Sequence, residues 1–409
     1  MTSTTKTPGL FLPTSLGPLP LANRLVMAPL SRNRAGADGV PGELMTTYYV
    51  QRASAGLIIA EGTTPNPVGQ TFPNIPAIHT PAHVAGWRQV TDAVRAAGGA
   101  MFLQLQHGGR VSHPRTSGLT PVAPSAIPLP DTIHTPDGRV PAVVPREMTL
   151  QDIRSTVADF ARAARNAVAA GFAGVEVHAA NGMLLHQFMA ANTNRRTDAY
   201  GGTVAGRVRF AVEVTRAVAE AIGPERVGLR ISPANTVNGI QEGDETPHLY
   251  AALLAALADS ELAYLHLEFA DPADPLFARL RADWPGTLMA NPALGWPAPL
   301  PADGGLAAGE RLLAAGADLV ALGRGFLANP DLVERLRTGA PLNPVREAYT
   351  MYVGGATGYT DYPTLAEASA DGSAVAPVDA PAVTSAVTSA VPSATTRRAA
   401  EAIAGPVSR

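Results

Sequence analysis

The chain reads as an α/β protein, a (β/α)8 TIM barrel with a capping excursion after strand three. Two observations predict this. Eight short apolar, β-branched runs recur along the chain, and Ala-rich segments with helical periodicity separate most of them. The runs are Leu25 to Pro29, Gly56 to Gly62, Met101 to Gln106, Gly174 to Ala180, Val227 to Ser232, Leu262 to Phe269, Gly286 to Asn291 and Leu319 to Gly325. Their length and continuity suit strands covered on both faces. Leu150 to Ala170, Ala205 to Ile222 and Thr246 to Ala258 carry the outer helices, because strand–helix alternation builds a parallel sheet with helices outside it. Eight such units close a barrel. Residues 107–145 break the rhythm with many prolines and the pair Asp137-Gly138, a favoured hairpin turn, and form the capping segment. The barrel is expected over 10–366, after a flexible lead at 1–9. From 367 to 409 the Ala, Val, Ser, Thr and Pro composition, with near-repeats such as Val383-Thr-Ser-Ala and Val387-Thr-Ser-Ala, predicts a disordered tail.

Composition narrows the function. Hydrophobic residues make up 46% and charged residues 16% of 409, and the formal net charge is −3, so no footprint for nucleic acid or an anionic membrane is present. The absence of cysteine excludes a thiolate nucleophile, a Cys-ligated zinc and a cluster carried by this chain, so a redox cofactor has to be organic. Lys6 is the sole lysine and lies in the lead, which excludes a strand lysine acting as a Schiff base. No metal site is expected, since the first strand ends Ala28-Pro29-Leu30-Ser31 rather than with a His pair. The N-terminus lacks an apolar run of signal-peptide length and no run anywhere reaches membrane-span length, which implies a cytoplasmic protein.

In a parallel barrel the chemistry gathers at the carboxyl ends of the strands. Strand four ends Glu176-Val-His178-Ala-Ala-Asn181-Gly-Met183. His178 and Asn181 aim neutral hydrogen-bond donors at one small volume, which suits a carbonyl oxygen gaining negative charge. Arg230 can set a fixed positive charge beside a ring that becomes anionic on reduction, and Gln104 can satisfy an imide edge. Gly323-Arg324 follows strand eight, where barrels commonly hold a phosphate. Together they describe a site for a phosphorylated polar heterocycle. Taken singly, each of these residues has an ordinary structural reading as a core, capping or ion-pair member.

The stretches Asn23-Arg-Leu-Val-Met-Ala-Pro-Leu-Ser31, Tyr48 through Thr63, Gln104 through Pro114, Asn194-Arg-Arg-Thr-Asp-Ala-Tyr-Gly-Gly202, Ala328-Asn-Pro-Asp-Leu332 and Gly358-Tyr-Thr-Asp-Tyr-Pro-Thr364 resemble the Old Yellow Enzyme family of FMN-dependent ene-reductases, over about Leu10 to Leu365. The resemblance implies FMN as cofactor and NADPH or NADH as hydride donor. It implies that Ser31 contacts a flavin carbonyl, Gln104 the pyrimidine edge, Arg230 the N1 and O2 side, and Gly323 with Arg324 the phosphate, with backbone near Pro29 and Gly62 completing the ring contacts. His178 and Asn181 would bind the oxygen of an activated alkene, and Tyr352 would stand over the substrate.

Three positions depart from the family pattern. Met183 stands where a tyrosine general acid is usual, and a thioether cannot donate a proton. Gln106 replaces a tryptophan common in the family and adds polarity to the substrate pocket. Asn291-Pro292-Ala293 replaces a Gly-Gly pair, and Pro292 offers no N–H to a phosphate. The expected activity is reduction of activated C=C bonds in enones, maleimides and nitroalkenes by NAD(P)H through flavin N5. A specialised isomerase or desaturase is the alternative that Met183 leaves open, and a non-catalytic flavin-binding protein is a third. The substrate is a small alkene, with no nucleic-acid or membrane partner, and the protein is a monomer or homodimer.

Overall fold

The computed structural model describes residues 9–294, 299–346 and 348–370. Eight parallel strands close into one barrel. They are β1 (Leu25–Met27), β2 (Leu57–Thr63), β3 (Met101–Leu105), β4 (Gly174–Ala179), β5 (Val227–Ile231), β6 (Tyr264–Ala270), β7 (Leu288–Pro292) and β8 (Leu319–Leu322). The last pairs with the first, Val320 beside Leu25 and Leu322 beside Met27, which leaves no sheet edge. β1, β3, β4 and β5 stop a residue or two inside the runs read from sequence, and β2, β6 and β7 end one residue past them. The eighth differs more, because the chain turns into the short helix Arg324–Ala328 as soon as Gly323 leaves the ladder.

Side chains alternate across each strand. One set fills the barrel interior, with Val26, Ile59, Phe102, Tyr264, Met289 and Leu319 in a single cluster. The other packs under the outer helices. Helix α1 (Leu150–Ala169) shows how the sequence specifies that contact: Ile153, Thr156, Phe160, Ala163, Ala164 and Ala167 are buried along one face, the three-and-four spacing of an amphipathic helix. Its start is set by a capping box in which Thr149 and Asp152 satisfy each other's backbone N–H groups, an arrangement worth about 1 kcal/mol. The small alanines let it lie close against α2 (Val204–Ile222).

The capping excursion after β3 contains the antiparallel hairpin Thr132–Thr135 with Gly138–Pro141. Its turn lies one residue earlier than Asp137-Gly138. Thr135 pairs with Gly138, so Pro136 and Asp137 occupy the turn and Gly138, at φ +98°, is the first residue of the returning strand. Proline at the first turn position, with glycine taking the positive φ just after it, is the physical reason for the shift. The helix Leu365–Ala370 runs across the boundary expected at 366. The remainder of the tail, 371–409, and residues 1–8 of the lead lie outside the described residues.

Candidate active site

The site is assembled by register. In the ladders at the mouth, Gln104 on β3 stands beside Glu176 on β4, His178 beside Arg230 on β5, and Arg230 beside His266 on β6. Four neighbouring strands thus bring these side chains together.

Glu176 is fully buried and organises the layer below the mouth. It accepts from Gln104 Nε2 at 2.8 Å, Tyr264 Oη at 3.1 Å and His266 Nδ1 at 2.8 Å. Burial pushes its carboxyl up, but His266 and Arg230 outweigh burial and hold it below the usual range. Burial in turn shifts the His266 ring below its ordinary value, against the pull of Glu176. Gln104 Nε2 also lies 3.4 Å from His178 Nδ1. An amide N–H can only donate, so Nδ1 of His178 is the acceptor and the proton sits on Nε2. Burial, reinforced by Arg230, depresses this ring to about 3, so His178 is a neutral donor at ordinary pH. With its nitrogen occupied, Gln104 has its Oε1 uncommitted among the described residues.

Asn181 sits at φ +53° in a turn with Gly182, a conformation asparagine tolerates better than most residues. Its backbone is fixed from both sides: the N–H donates to Ser232 Oγ at 2.9 Å, and the carbonyl accepts from Asn238 Nδ2 at 2.7 Å. Its side-chain Nδ2 donates to Glu268 at 2.7 Å, while Oδ1 is buried with no partner. One of its two amide protons is therefore committed. Met183 follows as the N-cap of the helix Leu184–Met189, with its side chain buried at 6% exposure.

Arg230 is buried and ion-paired, Nη2 to Glu268 Oε1 at 3.0 Å, and its Nε has no partner. Asn291 Oδ1 lies 3.5 Å from the same guanidinium. Around the rim, Ser31 is half-buried, Pro29 and Gly62 are buried, and a Cβ at Gly62 would collide with the Gln106 amide. Gln106 itself donates to Thr71 Oγ1 at 3.1 Å, so its amide is braced beside Gly62 rather than left loose in the mouth.

Gly323 and Arg324 lie at the end expected to take a phosphate. Gly323 has room beside Leu30, and Arg324 is half-buried with Nη2 donating to Leu294 O at 3.3 Å. Pro292 closes the ladder to Ala270, and the Ala293 N–H donates to Ala270 O at 3.2 Å. Neither residue keeps a backbone donor for an anion.

The segment carrying Tyr352 is tied to the end of β1 by Arg32 and Arg34. Arg32 donates to the carbonyls of Met351 and Gly358, each at 2.9 Å, with its guanidinium 4.9 Å from the rings of both Tyr48 and Tyr359. Arg34 adds bonds to Thr350 at 2.7 Å and Val353 at 2.8 Å. These hold the helix Ala348–Tyr352 against the end of β1, with the Tyr352 side chain partly exposed and its phenol pushed up by desolvation.

Glu176, His266, Glu268 and the Arg32–Arg34 clamp are the parts that the sequence left without a role. The alternation His266, Glu268 on β6 was a visible signal that both point inward. Nothing local signals that Arg32 and Arg34 reach a segment more than three hundred residues away.

The residues fit an isoalloxazine with a phosphate tail: an acceptor on Gln104, an orphaned buried Nε on Arg230, and a side-chain-free approach at Gly323. Among the described residues no group of His, Asp and Glu could hold a metal ion.

The model of the NADH:flavin oxidoreductase / NADH oxidase family matches residues 9–343. The chain is 42% identical over 366 residues to a probable flavin mononucleotide-dependent alkene reductase of Leishmania infantum, covering 86% of this chain and 96% of that relative. It is 38% identical over 388 residues to 12-oxophytodienoate reductase 7 of Oryza sativa subsp. japonica, covering 88% and 95%. Among solved structures, morphinone reductase superposes with a TM-score of 0.80 at 43% identity, covering 89% of this chain and 98% of that one. The Old Yellow Enzyme homologue from Zymomonas mobilis gives 0.82 at 38%, covering 88% and 100%.

Proposed function

The chain belongs to the NADH:flavin oxidoreductase / NADH oxidase family, and from that premise we propose that it reduces the C=C bond of enones, maleimides and nitroalkenes with NAD(P)H, His178 and Asn181 holding the substrate oxygen. FMN, when bound, supplies the two-electron carrier between nicotinamide and alkene. Gln104, Arg230, Ser31 and the backbone at Pro29 and Gly62 would hold its ring, and Gly323 with Arg324 its phosphate. The observation that carries this reading is the register that sets neutral His178 directly beside Arg230, with Gln104 donating to the far side of the imidazole. A neutral Nε2–H stabilises an enolate oxygen without giving up its proton, and a donor of this kind contributes about 10² to 10³ in rate.

No acid at position 183 can deliver the second proton. Strongly activated acceptors form enolates stable enough to be protonated by solvent, so they suffer least from the missing group, which elsewhere contributes roughly 10² to 10⁴. Tyr352 serves as an aromatic wall beside Met183 and Gln106 in the substrate pocket. With only Gly323 and Arg324 at the phosphate, FMN is held less tightly than two backbone donors at 292 and 293 would allow. Met183 also favours a second reading, isomerisation or desaturation of a dedicated substrate, since slow protonation lets the reduced carbon return its electrons.

The barrel spans 10–366 with its cap at 107–145, and the protein works in the cytoplasm as a monomer or homodimer; among the described residues no helix is long and apolar enough to cross a membrane. The test is anaerobic bleaching of FMN-loaded protein by NADPH, then mixing with maleimide or an activated enone and product analysis. Rapid reoxidation with the saturated product supports the reductase. Bleaching followed by an isomerised or desaturated product supports the second reading, and no bleaching refutes both.

A further inference from the structure

Glu268 stands at the mouth of the barrel without a role in the reading above. Its direction follows from β6: His266 points inward to Glu176, and alternation turns the side chain two residues later the same way. Glu268 sits inside the slip of the ladder to β7, between Leu267 and Ala270, and Phe269 adopts φ +56° before Ala270 rejoins the ladder beside Pro292. The carboxylate, 12% exposed, touches two residues from different strand ends: Oε1 lies 3.0 Å from Arg230 Nη2, and Oε2 accepts from Asn181 Nδ2 at 2.7 Å.

Building on the assignment of Arg230 to the N1 and O2 side of the flavin and Asn181 to the alkene oxygen, we propose that Glu268 is a positioning residue that tempers the charge of Arg230 and holds the Asn181 amide. It thereby sets both the reduction potential of the flavin and the capture of the substrate oxygen. A guanidinium paired at contact distance with a carboxylate offers a third group much less net positive charge than a lone one. An anion forming beside Arg230 is correspondingly less stabilised. For Asn181, a carboxylate oxygen can only accept, so it selects the rotamer with Nδ2 toward Glu268 and leaves the second N–H for a ligand. Glu268 is the sole hydrogen-bond partner of that side chain among the described residues, since Oδ1 has none. Ser232 and Asn238 fix only the backbone.

The test uses full-length, FMN-loaded protein carrying Glu268→Gln, which preserves shape, and Glu268→Ala, which removes the contact. Equilibration with a reference dye reads the flavin potential, and steady-state kinetics with maleimide separate KM from kcat. Glu268→Gln should favour the reduced flavin about tenfold, close to 30 mV for a two-electron couple, and Glu268→Ala should raise KM severalfold more than it lowers kcat. In an Arg230→Gln background the Glu268→Gln shift should disappear, because the charge acts through that guanidinium. A flavin equilibrium within threefold of wild type in both variants, an unchanged KM, or a full shift without Arg230 overturns the proposal. Wild-type protein that binds FMN and turns over while the variants match it removes Glu268 alone. Wild-type protein that is never bleached by NADPH removes the proposed function and this coupling together.

Discussion

Replacing His178 with alanine tests the central chemical inference. The imidazole is 3% exposed, takes Gln104 at Nδ1, and is depressed to about 3 by burial and by Arg230. At pH 6.5 only about three rings in ten thousand are protonated, by the difference between that value and the ordinary one. His178 therefore works as a neutral donor throughout the physiological range. His178→Ala should lower kcat/KM for the alkene by about 10² to 10³, or roughly 3–4 kcal/mol of transition-state stabilisation. His178→Asn, which keeps an N–H, should recover part of it. Stopped-flow reoxidation of reduced protein by an enone, between pH 5 and 9, separates this step from flavin reduction. The wild-type rate should show no step near pH 6.5. A step centred there that vanishes in His178→Asn would refute the neutral donor and assign the work to an imidazolium. A loss smaller than fivefold in His178→Ala would refute the oxygen contact altogether.

Met183→Tyr should restore a proton donor and speed turnover of weakly activated enones by about 10², leaving maleimide nearly unchanged; equal effects on both acceptors in single-turnover assays would contradict the missing-acid account. Buried His178 and His107 both sit near 3, below the ordinary value. Between the two values the unfolded chain binds protons that the folded chain does not, so stability is complete above about 6.5 and falls as pH drops toward 3, by at most about 1.4 kcal/mol per pH unit for each ring. Urea midpoints from pH 7.5 to 4.5 should decline with that sign, and a flat profile would contradict it. Arg32→Met removes two hydrogen bonds to carbonyls of the segment carrying Tyr352 and should cost about 3 kcal/mol, since bonds from charged donors contribute roughly 1.5–3 each. Faster proteolysis between 346 and 360 would accompany the loss, and an unchanged urea midpoint would argue against the clamp.

The amino-acid sequence by itself determined the barrel. Strand runs such as Val227 to Ser232 and the buried stripe of α1 are local patterns with periods of two and 3.6, and eight repeats of one strand–helix unit leave few ways to close. It also placed His178, Asn181, Gln104 and Arg230 at strand ends, because in a parallel barrel the end of a run is a position in space as well as in the chain. The hairpin turn was legible only to within a residue, since Pro136, Asp137 and Gly138 all favour turns and their dihedral preferences decide the register. Tertiary structure alone decided what each polar group does with its hydrogens. Gln104 offers its oxygen because Glu176, on the next strand, occupies its nitrogen, and Asn181 has one amide proton committed because β6 brings Glu268 beside it. Arg32 and Arg34 tie the end of β1 to carbonyls near residue 350. Such pairings depend on distance and burial between strands far apart in the chain, and no local periodicity encodes them.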